Sequence, residues 1–154
     1  MAKNKQQLYV ELEEQTKALL EGESDVIANL ANVSALIWNA LPDINWAGFY
    51  FLKGEQLVLG PFQGKPACVR IPLGRGVCGT AAKTQKPQIV EDVHQFEGHI
   101  ACDQASNSEI VLPIVVNDEV QGVLDIDSPK FSRFDNEDLE GLSKVVAIVQ
   151  AAIA

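Results

Sequence analysis

The sequence predicts an α+β domain in which helices cover a single antiparallel sheet. Three observations predict it. Apolar residues recur every three or four positions towards both ends of the chain. Between Asn45 and Asp127 they crowd instead into short runs separated by turn residues. The length, 154 residues, fits one domain with little to spare.

Each element has a local reason. Residues from about 5 to 20 hold Leu8, Leu12, Leu19 and Leu20 among Glu, Gln and Lys, a thin amphipathic helix that Gly22 stops. Ser24 and Asp25 can cap a second helix, whose Val26, Ile27, Leu30, Val33, Leu36 and Ile37 keep helical spacing; Trp38 widens the stripe and Pro42 ends it. Trp46 to Leu52 is dense and aromatic, and Lys53-Gly54-Glu55 turns it into a partner strand from Gln56 to Gln63. Pro66 to Ile71 reads as a third strand, Val77 to Gln85 as a short helix, and Gln88 to Glu91 as a brief strand before a polar loop from Asp92 to about Asn107. Glu109 to Val116 and Val120 to Asp127 are long strands joined around Asn117-Asp118. The last helix starts near Asp135, where Glu137 and Asp138 suit its N-terminal dipole, and Leu139, Leu142, Val145, Val146, Ile148 and Val149 form its apolar stripe.

Composition excludes several function classes. The net charge is −9, from 12 basic and 21 acidic residues without a basic cluster, so phosphate backbones and anionic lipids repel the chain. Nucleic acid and membranes are therefore not expected partners. No apolar run approaches the roughly 20 residues of a membrane helix. Met1 to Gln7 carries two positive charges with no apolar stretch behind them, so no secretory signal is expected and a cytoplasmic location is. The three cysteines, Cys68, Cys78 and Cys102, are odd in number and lack C-x-x-C spacing. They fit neither a disulfide scaffold nor a zinc ribbon, which leaves buried thiols or a redox site.

Alternation along the two long strands places Ile110, Leu112, Ile114 and Val116 on one face, and Val120, Gly122, Leu124 and Ile126 on one face of the next strand. Pairing these apolar faces calls for a three-residue loop, Asn117-Asp118-Glu119, because a one-residue slip would turn one set outward. Glu109 then lies opposite Asp127 and Val111 opposite Asp125. Glu109, Asp125 and Asp127 gather on the other face, about 5 Å apart across the pair and about 7 Å along a strand. Such crowding raises carboxyl pKa values and suits a cationic ligand or general-acid work. The alternative is a solvated face, although Val111, Val115 and Val123 point to one that is partly covered.

Trp46, Gly48 and Tyr50 share a face of the first strand. An indole and a phenol across a glycine can wall a pocket for an ammonium or methyl-sulfur group, or serve as core aromatics. If residues 66–71 form a strand, Cys68 and Arg70 share one face and Ala67, Val69 and Ile71 the other. Cys102 falls in the polar loop. Cys78 falls in the first turn of the short helix, where exposed N–H groups would lower its pKa; of the three thiols it best fits a small buried hydrophobe. Gly74-Arg75-Gly76-Val77-Cys78-Gly79 has G-x-G-x-x-G spacing without a βαβ context, so it reads as a tight turn or an anion-binding helix start. His94 and His99 precede Cys102 in an H-x4-H-x2-C pattern that matches no common zinc site, and read as exposed loop histidines.

The stretch Trp46-Ala47-Gly48-Phe49-Tyr50-Phe51, the segment from Cys68 to Gly79 and the run from His99 to Asp127 together resemble the free methionine-(R)-sulfoxide reductases, which are single GAF-domain enzymes. The likeness spans nearly the whole chain. The glycine loop and Phe131-Ser132-Arg133-Phe134-Asp135 are generic to GAF domains. Specific weight lies in the three cysteines, the Trp46/Tyr50 pair and the acidic trio occurring together. The resemblance implies one GAF domain over residues 1–154, a six-stranded antiparallel sheet flanked by N- and C-terminal helices, and a homodimer. It implies Cys102 as nucleophile, Cys68 as the principal resolving thiol and Cys78 as a lesser partner. Glu109, Asp125 and Asp127 would bind the amino group and polarise the sulfoxide, while Trp46 and Tyr50 would hold the methyl-sulfur end. The implied reaction converts free L-methionine-(R)-sulfoxide to L-methionine through a Cys102 sulfenic acid and an intramolecular disulfide, recycled by thioredoxin with no bound metal or cofactor. Two other readings are a GAF module binding a ligand such as a cyclic nucleotide, which an acidic pocket suits poorly, and a zinc enzyme using His94, His99 and Cys102.

Overall fold

The computed structural model describes residues 3–100 and 105–154. The elements run α1 (Lys5–Leu20), α2 (Val26–Ala40), β1 (Trp46–Lys53), β2 (Gln56–Gly64), β3 (Arg70–Pro72), α3 (Gly76–Thr84), β4 (Gln88–Val90), a 3-10 turn (Val93–Gln95), β5 (Ser108–Val116), β6 (Glu119–Ser128) and α4 (Asn136–Ile153). The six strands form one sheet in the order β3-β2-β1-β6-β5-β4, and every neighbouring pair is antiparallel. No helix among the described residues is long and apolar enough to cross a membrane.

Alternation along the central strands divides the interior into two cores. Ala47 and Phe49 of β1, Ile110, Leu112 and Ile114 of β5, and Leu124 and Ile126 of β6 pack against α1, α2 and α4. Trp46 and Tyr50, with Val111 and Val123, point the other way and pack under α3. Polar side chains start the helices as their sequences imply. Asn4 accepts from Gln7 N, Asp25 from Ala28 N, and Asp135 from Glu137 N and Asp138 N. Asp138 is fully buried, yet Tyr9 Oη and Lys5 Nζ each donate to it at 2.7 Å, so the carboxylate fastens α1 to α4. Gly141 makes that joint possible, because a Cβ there would sit 2.1 Å from Tyr9 Cγ.

Three expectations need correction. The third strand is only Arg70–Pro72, and the preceding residues 65–69 form an irregular segment. Cys68 therefore does not share a strand face with Arg70. Cys68 and Ala67 pack partly buried against the α3-side core, whereas Arg70 and Val69 are exposed. Second, the β5–β6 loop has two residues rather than three. Asn117 and Asp118 both adopt the left-handed conformation, at φ 53° and 64°, the geometry of a primed hairpin turn. A bulge absorbs the odd residue, since Ile114 pairs with Gly122 while Val115 pairs with Val120, leaving Gln121 over. Third, Val120 therefore packs on the α3 side instead of the face it would share with Gly122.

Candidate active site

The acidic trio sits at the middle of the sheet. Beyond the bulge the predicted register holds: Glu109 pairs with Asp127, and Val111 with Asp125. The other side of β6 brings Trp46 opposite Asp127 and Gly48 opposite Asp125. Burial of the trio is nearly complete, with 7%, 6% and 9% of Glu109, Asp125 and Asp127 exposed. The solvated alternative is thereby eliminated.

Helix α3 covers this face and inserts Cys78 among the carboxyls. Its Sγ donates to Glu109 Oε2 at 3.7 Å. Gly79 allows that approach of α3, because a Cβ there would meet Pro72 O at 2.6 Å. The G-x-G-x-x-G run is thus a tight packing turn. Burial and the three carboxylates push the Cys78 thiol well up. This corrects the expectation of a lowered value, because desolvation and negative neighbours outweigh the N–H groups of the first turn. The thiol is free, and its surroundings favour the protonated form.

Burial, then Asp125 and Asp127, push Glu109 well above the carboxylate range. Burial also raises Asp125, against hydrogen bonds from Glu109, Cys78 and Asp127 that favour its charge. Such a cluster retains a proton near neutrality. Asp125 Oδ1 is buried without a hydrogen-bond partner, in a residue that lines the cavity.

The aromatic wall forms as the strand faces predict. The Trp46 and Tyr50 rings stack at 5.8 Å and 27°. Gly48, however, does not leave its space to a ligand. Phe62 pairs with it across the sheet and fills the gap, stacking on Trp46 at 5.2 Å. Phe62 was not among the expected residues; its signal is the bulky residue that a cross-strand glycine calls for.

Cys68 is disulfide-bonded beside this cavity. Cys102, the expected nucleophile, lies outside the described residues. His94 is an exposed loop histidine as expected, bonded through Nε2 to Asn107 Oδ1 at 2.9 Å. His99 is half-buried and lines the cavity; burial and then His94 lower its pKa. Among the described residues, Cys78, Glu109 and Asp125 bring their ligand atoms within 4.8 Å of one another.

A cavity walled by stacked aromatics and floored by three buried carboxyls, on a six-stranded antiparallel sheet covered by helices, is the candidate site of an α+β small-domain fold. The GAF domain family matches residues 27–154. Free methionine-R-sulfoxide reductase of Escherichia coli strain K12 is 58% identical over 151 residues, covering 98% of this chain and 92% of that one. The fold superposes on the structure of fRMsr of Staphylococcus aureus in complex with substrate with a TM-score of 0.91 at 53% identity, covering 95% of both chains. It superposes on free methionine-R-sulfoxide reductase from Neisseria meningitidis, also in complex with its substrate, with a TM-score of 0.96 at 40% identity over 99% of this chain and 92% of that one. The chain belongs to the GAF-domain free methionine-R-sulfoxide reductases, a family of oxidoreductases.

Proposed function

We propose that the chain reduces free L-methionine-(R)-sulfoxide to L-methionine through a Cys102 sulfenic acid and a Cys68–Cys102 disulfide. The observation that carries the reading is the orphaned, buried Asp125 Oδ1 within the acidic trio. An α-ammonium group supplies the donor that this oxygen lacks, and methionine inside a peptide has no such group. Trp46 and Tyr50 receive the methyl-sulfur end of the substrate on their rings.

The chemistry balances on thiols alone. Cys102 sulfur attacks the sulfoxide sulfur while Glu109, kept protonated by its neighbours, hydrogen-bonds the oxygen. The sulfur–sulfur bond so formed and the S–O bond of the substrate both break, the oxygen passes to Cys102, where with the thiol's own proton it becomes a sulfenic acid, and methionine leaves as the thioether. Cys68 sulfur then attacks Cys102, forming the disulfide and releasing the oxygen as water. Thioredoxin returns both thiols by exchange. Thiols supply both electrons, so no step calls for a metal or a bound cofactor. Cys102 as the partner of Cys68, and Cys78 as a lesser resolving thiol, are the roles that the family resemblance implies. The reading includes a homodimer, as the family resemblance implies, and a cytoplasmic location.

Single turnover tests it. Reduced protein mixed with the free R sulfoxide should yield about one methionine per chain and leave a disulfide. Cys102→Ser should yield none. Methionine formed equally by Cys102→Ser would sink the mechanism.

A further inference from the structure

The irregular segment 65–69 carries Cys68, and side chains of the pocket wall hold it in place. Trp46 Nε1 donates to Lys65 O at 3.1 Å, and Tyr50 Oη donates to Cys68 O at 3.0 Å. A backbone bond from Leu59 N to Val69 O, 2.9 Å, fixes the far end. Each bond to the wall is made by a polar tip whose ring faces the cavity. Burial and the nearby carboxylates raise the Tyr50 phenol, so it stays a donor through the working pH range.

We propose that Tyr50 is a positioning residue for the Cys68 thiol: its hydroxyl, with the Trp46 indole as a second tether, holds the segment so that Cys68 meets the Cys102 sulfenic acid. The inference rests on the function proposed above. It concerns the second step, in which Cys68 sulfur bonds to Cys102 sulfur and the sulfenic oxygen leaves as water. Holding an attacking thiol in place raises its effective concentration, and loss of one anchor lets a short coil wander. The same two rings that receive substrate thus also set the geometry of the thiol that completes its reduction.

Tyr50→Phe keeps the ring and removes only the hydroxyl. The experiment is a single turnover of reduced protein with free R sulfoxide, in which dimedone traps the sulfenic acid at timed intervals and methionine is counted in parallel. The sulfenic acid should persist about tenfold longer in Tyr50→Phe than in the unsubstituted chain, the weight of one hydrogen bond. Trp46→Phe should lengthen it in the same direction. Added to Cys68→Ser, Tyr50→Phe should lengthen it no further, because both act on one step. Methionine formation with an unchanged sulfenic lifetime would overturn the inference alone, as would a further lengthening in the Cys68→Ser background. No methionine from the unsubstituted chain would overturn the proposed function and this inference with it.

Discussion

Cys78 Sγ lies 3.7 Å from Glu109 Oε2, and both residues are buried beneath helix α3 at the centre of the sheet. A thiol in that position is part of the acid cluster, and the same burial makes it a slower nucleophile. Protonation of Cys78 and Glu109 is the state in which a crowd of negative groups can stay out of water.

The first consequence concerns thiol chemistry. In the oxidised protein, where Cys78 is the free thiol, alkylation by iodoacetamide at pH 7 should be much slower than in unfolded protein, since burial and the raised pKa both deplete the reactive thiolate. Mass spectrometry of the labelled peptide follows the rate. Labelling as fast as in the unfolded chain would remove the buried, protonated Cys78 from the account.

Glu109 should carry most of the proton transfer. Glu109→Gln is expected to lower kcat by about 10²- to 10⁴-fold, the usual weight of a positioned general acid. Steady-state rates across pH test it, because the residual activity should also lose the alkaline limb that Glu109 ionisation produces.

Asp125 should act on affinity. Asp125→Asn retains the shape but removes the charge facing the ammonium, and a charge-assisted hydrogen bond of about 1.5–3 kcal/mol corresponds to a KM raised roughly 10- to 100-fold. Substrate titration of initial rates distinguishes this from a kcat effect.

The raised Glu109 pKa also couples stability to pH. Its folded value lies above its unfolded value, so its contribution is complete below the unfolded pKa and is lost as pH rises through the folded one. Urea midpoints measured from pH 5 to 9 should fall more steeply for the unsubstituted chain than for Glu109→Gln. Parallel curves would contradict the assignment.

Packing around Gly48 gives a prediction independent of chemistry. A Cβ there would lie 2.3 Å from Phe62 Cβ and 2.8 Å from Pro61 O. Gly48→Ala should cost about 1–3 kcal/mol by overpacking, read from urea unfolding.

Local patterning made much of this site legible. Period-two alternation placed the three carboxyls on one face and the Trp46/Tyr50 pair on the matching face of β1. The loop is one residue shorter than the alternation implies because Asn117 and Asp118 both take the left-handed conformation, while the bulge at Gln121 returns the register to the predicted one before it reaches the acids. Residues 66–69 alternate like a strand, but the segment is anchored by Trp46 and Tyr50 from another strand, and no local pattern encodes such bonds. The environment of Cys78 was hidden for a similar reason. A short helix shows its first turn in sequence, but not which sheet residues its underside meets. Gly48 was legible as a space, and the occupant of that space, Phe62, belongs to a neighbouring strand.

The most direct measurement is NADPH consumption with thioredoxin and thioredoxin reductase, offering the R and S epimers of free methionine sulfoxide separately, with N-acetylmethionine-R-sulfoxide as a third substrate. Turnover of the free R epimer, with at most a small fraction of that rate on the other two, is the predicted result. Equal turnover of the N-acetylated compound would contradict recognition of the ammonium by the buried carboxyls, and no turnover of the free R epimer by folded, reduced protein would contradict the reductase itself.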